Sequence, residues 1–305
     1  MALSALTAEP GAAGGAAKEE AFHMDDGTDY EKGSIIKETL DYVRSAMQGS
    51  LDELYLERVV LGLFFSGVKL SNGIGGLCAT PVKMIPEAVC CPSSAKAMPG
   101  SGRLRGAKVA RTLEDLTSEN PLKKTLAIAA LNVVCETCRR AERWTGYDFI
   151  IDADPLDHIK IPEGSYTLVV GALLPYLRML RTNGFSYGIL ELDPRTLRAE
   201  ERPHYIPPEE ANAAVSKADY LLITGTTLIN DTLEGILAHR KEGAQAIVVG
   251  PTASFHPDAF FKRGIVSLGG ITVTDPDGLL DILSEAGSGY HFYGKYAEKS
   301  VVLKS

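Results

Sequence analysis

The chain has 305 residues, 45% of them hydrophobic, with a net charge of −8 and a pI near 5.4. That is enough apolar sequence for two packed domains, and an acidic balance without a basic stripe excludes nucleic acid as the expected partner. No apolar run approaches the roughly 18 residues of a membrane span. Residues Met1 to Pro10 lack the basic region and apolar stretch of a secretory signal, so no membrane partner and a cytoplasmic location are expected.

Residues 1–28 are rich in Ala, Gly and acids and read as a disordered tail. A small α+β domain is expected over 29–145. It opens with a helix through Ile35, Leu40, Val43 and Met47. Leu54 to Phe65 reads as a strand, with Ser66–Leu70 beside it. The next stretch, Ser71 to Pro81, carries Asn72 and the glycines Gly73, Gly75 and Gly76. It reads either as a tight turn with a bulge or as a loop that lets a ligand approach backbone. Lys69 is the cation near it. Residues 92–106 read as loop, and Glu114–Leu116 as the start of a short helix. Pro121 to Arg140 reads as a longer helix, with Pro121 suited to its first turn and Arg139–Arg140 to its end.

The five cysteines are Cys78, Cys90, Cys91, Cys135 and Cys138, and an odd number without export features argues for reduced thiols. Cys135 and Cys138 share a helix face and are sterically able to share a metal, although a structural zinc wants two more ligands. Buried thiols are the alternative. The connector, residues 146–164, holds Asp152, Asp154, Asp157 and His158. This run suits a solvated linker better than a cation site.

From 165 to 290 short apolar strands alternate with helical patterns. The strands are Leu168–Val170, Tyr187–Leu190, Tyr220–Ile223, Ala246–Val249 and Val266–Leu268. This pattern predicts a Rossmann-like, doubly wound parallel sheet, whose ligands sit at the carboxyl ends of the strands. The first strand ends at Gly171, a single glycine where a dinucleotide fingerprint needs three. The second ends at Glu191 and Asp193, with Glu191 at the spacing of a ribose-binding acid. The third ends at Gly225-Thr226-Thr227-Leu228-Ile229-Asn230-Asp231-Thr232. Its hydroxyls and amide serve either to cap a helix or to hold an anionic or polar ligand. The fourth ends at Gly250-Pro251-Thr252, the fifth at Gly269-Gly270-Ile271-Thr272. Four such polar turns on one sheet edge predict a pocket. Residues 291–305 read as a C-terminal tail.

The turn 225–232, Val248-Val249-Gly250-Pro251-Thr252 and Gly269 to Asp277 resemble a family of heavy-metal chelation domains of unknown function, number 364. Gly67 to Pro81 and Ala129-Ala130-Leu131-Asn132 resemble its companion N-terminal domain. The resemblance implies an enolase N-terminal-like domain joined to a Rossmann-like one, with a site shared between them. It also implies a metal ion or metal–chelator complex as ligand, siderophore-, pterin- or flavin-like. The family supplies no catalytic residues to carry over; from the polar strand ends facing a Gly-rich loop with one lysine, Lys69 and Asn72 are expected to orient a substrate for condensation or hydrolysis, Thr226, Thr227 and Asn230 to hold an anion or carbonyl, and Glu191 or Asp193 to hold a hydroxyl. Non-catalytic carriage of a metal–chelator complex is the second reading, and an S-adenosylmethionine-dependent methyltransferase the third. A symmetric homodimer is the default assembly.

Overall fold

The computed structural model describes residues 33–85 and 100–305. The expected tail over 1–28, Cys90, Cys91 and the segment from Pro92 to Pro99 lie outside these residues.

The chain opens with α1 (Ile35–Met47), where Ser34 Oγ accepts from Lys37 N at 3.2 Å. A small antiparallel sheet follows, from β1 (Leu56–Leu61), β2 (Phe65–Leu70) and β3 (Gly75–Ala79), in that spatial order. The single strand expected over 54–65 is therefore a hairpin. It turns at Gly62, where a Cβ would lie 2.4 Å from the Phe65 carbonyl, so only glycine lets the backbone fold back so closely. The stretch read as a glycine loop is mostly strand: the turn occupies 71–74, and Gly75 and Gly76 already pair in β3.

After the short α2 (Val109–Thr112) comes α3 (Pro121–Arg140), capped by Asn120, whose Oδ1 accepts from the Leu122 and Lys123 amides at 3.0 Å each. Its stretch from Lys124 to Cys135 is buried throughout. A helix apolar on every side needs cover on every side. Here β2 and β3 pack on one flank and the large sheet lies beyond the other, so one continuous core joins the two sheets through α3.

The large sheet has eight strands in the order β4-β11-β10-β9-β8-β5-β6-β7. These are β4 (Tyr147–Ile151), β5 (Tyr166–Val170), β6 (Ser186–Leu190), β7 (Tyr205–Ile206), β8 (Tyr220–Thr224), β9 (Gln245–Val249), β10 (Ile265–Val273) and β11 (Ala297–Lys304). From β10 to β7 every pairing is parallel, while β11 runs antiparallel to both its neighbours. The helices between are α4 (Leu174–Thr182), α5 (Ala211–Val215), α6 (Leu233–Ala238), α7 (Asp258–Phe261), α8 (Pro276–Ser284) and α9 (Gly289–Phe292). Both faces of the parallel strands are buried. Leu168, Leu221 and Val248 point into the core shared with α3, and Val169, Leu222 and Ile247 into a second core under α4. Double-sided burial explains their unbroken apolar runs.

Two expectations are corrected at the sheet margin. The connector contains β4, and residues read as a C-terminal tail contain β11, inserted between β4 and β10. Their alternation is diluted by Asp148, Glu298 and Lys299, because part of this sheet margin meets solvent.

Candidate functional site at the sheet edge

Strand order reverses between β5 and β8: the chain leaves β5 towards β6 and β7, then returns to the other side of β5 with β8. Such a switch point opens a crevice at the carboxyl ends of the two strands. Gly171 follows β5 with φ +90°, and a Cβ there would lie 2.7 Å from Thr224 Cγ2. Glycine at this position lets the two strand ends approach.

Thr224 ends β8 and organises the turn after it. Its Oγ1 accepts from the Thr226 hydroxyl at 3.1 Å, and its carbonyl accepts from Thr227 Oγ1 at 2.7 Å. Thr226 is exposed and Thr227 buried. The two threonines read together from sequence thus divide: Thr227 is committed to the turn, and Thr226 offers a hydroxyl at the surface. Gly225 abuts Thr252 and Ala253 after β9, so the ends of β5, β8 and β9 form one continuous rim. Next to it, Thr232 Oγ1 donates to Asn230 Oδ1 at 2.8 Å.

At the neighbouring β6 end, Glu191 Oε1 accepts from the Asp193 amide at 3.2 Å. Asp193 is ion-paired with Lys83 at 2.5 Å and Arg195 at 2.9 Å, which hold its carboxyl well below the usual carboxylate range. Lys83 comes from the N-terminal part of the chain, so the small-sheet unit reaches over this end of the edge. A second contact of this kind joins the buried Lys124 of α3 to Asp231 at 2.5 Å. Asp231 takes a left-handed φ of +56° to meet it.

The remaining sequence-predicted residues lie elsewhere or serve packing. Lys69 is tied to Asp277 at 2.7 Å and Glu57 at 3.0 Å, contacts that push its ammonium pKa up. Asp277 lies in the helix after β10, three strands along from β5. Asn72 Nδ2 donates to Thr137 Oγ1 at 2.9 Å, and its Oδ1 accepts from Ile74 N. Gly73 supplies the positive φ of the hairpin. A Cβ on Gly75 would meet Pro276 at 2.8 Å, and one on Gly76 would meet Val133 at 2.7 Å. Thr252 Oγ1 accepts from the Ala79 amide at 3.0 Å, and the Pro251 carbonyl accepts from Asn132 Nδ2 at 3.1 Å. These last two contacts join the small sheet and α3 to the rim.

Among the described residues the donor set for a protein-held soft metal does not come together. Cys78, Cys135 and Cys138 are buried free thiols, and burial pushes each thiol pKa up, Cys78 to about 12. Among the described residues no group of three or more His, Cys, Asp or Glu side chains converges as a metal site. In the acidic connector Asp154 and Asp157 cap the turn Pro155–His158, and Asp154 accepts from Tyr176 Oη at 3.1 Å and Lys299 Nζ at 3.2 Å. Lys124 and Tyr176 escaped sequence reasoning and carry no signal at sequence level; Asn132, a lone Asn inside the apolar run Leu126–Val134, was noted only within the stretch that resembles the companion domain.

Comparison with known proteins follows the same outline. Residues 154–302 match the model of the DUF364 family and residues 44–135 that of the DUF4213 family, both described as "Putative heavy-metal chelation". An uncharacterised protein of Methanocaldococcus jannaschii is 28% identical over 207 residues, 64% of this chain and 73% of that protein. Two crystal structures of DUF364 proteins of unknown function share the fold. That from Pyrococcus horikoshii has a TM-score of 0.68 at 17% identity, covering 88% of this chain and 98% of its own. That from Desulfitobacterium hafniense has a TM-score of 0.62 at 20% identity, covering 88% and 99%. Among the described residues no helix is long and apolar enough to cross a membrane.

Proposed function

The chain belongs to the DUF364 family, described as "Putative heavy-metal chelation", and on that premise we propose that it handles a small metal-chelating molecule in the crevice at the β5–β8 switch point. The supporting observation is the juxtaposition of Gly171 with the Thr224–Thr226 turn, where an exposed hydroxyl stands at the reversal of strand order. The metal travels as part of the ligand in this reading, because the described thiols, Cys78, Cys135 and Cys138, are buried and their protons are tightly held. A siderophore-, pterin- or flavin-like chelator brings its own oxygen and nitrogen donors and asks the protein only for hydrogen bonds and shape.

One observation favours carriage over condensation or hydrolysis. Most charged groups around the crevice are paired with one another: Asp193 with Lys83 and Arg195, Lys124 with Asp231, and Asp154 with Lys299, while Glu191 accepts from the Asp193 amide. Paired charges hold a shape and are poorly placed to shuttle protons.

Native mass spectrometry with elemental analysis of anaerobically purified protein tests the reading. An organic mass carried together with a metal supports it. Stoichiometric metal without an organic mass, or a bare chain, contradicts it.

A further inference from the structure

Where α3 and β3 face β10 and β11, a cavity of about 20 Å³ lies between the two sheets. It has room for one water molecule. Its walls are mostly apolar, with Phe149, Phe255 and Leu268 among them. Two polar side chains on this wall carry a buried atom without a protein partner, one an acceptor and one a donor: Asn132 Oδ1 and Trp144 Nε1.

The Asn132 assignment is forced. Its residue is 3% exposed, and Nδ2 donates to the carbonyls of Leu77 at 2.9 Å, Pro251 at 3.1 Å and Thr252 at 3.3 Å. Flipped, the amide would set its oxygen against three carbonyl oxygens. The one carboxylate on the wall, Glu136, has both oxygens engaged by Arg139 and Arg140. Its charge is therefore met outside the cavity. Buried donors and acceptors are almost always paired, and leaving two of opposite kind on one wall is costly.

We propose that this cavity is a binding site for one buried water molecule that donates to Asn132 Oδ1 and accepts from Trp144 Nε1. The apolar walls reject ions. The cavity shares the turn after β9 with the rim, through Pro251, Ala253 and Ser254, and its occupant does not depend on the function assigned to the rim.

Trp144 is the single tryptophan of the chain, so one indole N–H resonance reports on the cavity. The test reads magnetisation transfer from water to that indole N–H in the full 15N-labelled chain. A nuclear Overhauser cross-peak between water and the indole is expected in wild type and lost in Asn132→Leu. A high-resolution crystal structure is expected to hold an ordered water within hydrogen-bond distance of both atoms. An indole without a water cross-peak, or a crystal structure with no water bridging the two atoms, overturns the proposal. If Asn132→Leu fails to fold, Trp144→Phe keeps an aromatic ring and removes the donor. A crystal structure of that variant is expected to lose the water, and a retained water overturns the proposal.

Discussion

Thr226 and Lys69 were read together from sequence as ligand contacts, and the structure gives them opposite circumstances. Lys69 spends its charge on Asp277 and Glu57, whereas Thr226 presents a hydroxyl held only by Thr224. Thr226→Val is therefore expected to leave stability within about 0.5 kcal/mol of wild type and to weaken ligand retention about tenfold. Lys69→Met is expected to leave retention unchanged. Parallel native mass spectra of the two variants check this, and equal loss in both would contradict it. His256 carries a different consequence. It is 6% exposed, stacked on Tyr42 with ring centroids 3.6 Å apart, and burial pulls its pKa down to about 4. Asp258 opposes that shift and Lys262 adds to it, with Glu38 and Asp41 facing the same hollow. The unfolded chain, near 6.5, takes up the proton first. The stability held by the neutral ring is thus complete above pH 6.5 and lost as pH falls towards about 4, a change of about 3 kcal/mol. His256→Phe keeps the stack and should flatten this part of the curve in urea unfolding; an unchanged slope would count against the assignment.

At the scale of elements, glycine is where sequence reading stopped. Gly73, Gly75 and Gly76 look alike in the chain and differ in place. Gly73 sits at φ +78° in open space, while Gly76 lies against Val133 and the Ala129 carbonyl of α3. Gly76→Ala overpacks β3 on α3 and is expected to cost about 1–3 kcal/mol. Gly73→Ala pays only backbone strain of about 1–2 kcal/mol. Circular dichroism of β3–α3 packing cannot separate these, but thermal unfolding with near-ultraviolet detection can: Gly76→Ala should also disturb the environment of Trp144, and Gly73→Ala should not. The long elements were legible for a simple reason. Pro121–Arg140 and the strands β5, β6, β8 and β9 are apolar over whole turns or on both faces, so their period dominates their composition. β3, β4 and β11 were hidden because glycines or charged residues break their alternation, and their pairing depends on partners far along the chain. The turns that end the parallel strands were legible as polar motifs. Which of those residues face solvent was decided by contacts from α3 and the small sheet, as with Thr252 and Asn132.

For the whole molecule, α3 is the part that makes the two sheets one body. Its apolar length belongs to a core running from α1 to β10, Asn132 binds carbonyls on both sides, and Lys124 reaches Asp231 beyond the rim. A ligand at the switch point therefore meets an edge braced from behind. Binding should tighten the turns after β5, β8 and β9 without separating the sheets. Hydrogen–deuterium exchange, read by mass spectrometry on protein as isolated and on the same protein freed of small molecules by unfolding and refolding, measures this directly. The expected result is slower exchange in the as-isolated protein over residues 171–176, 224–232 and 250–254, with the small sheet unchanged. Identical exchange in both samples, or protection confined to other segments, would contradict the placement of the ligand at the β5–β8 switch point.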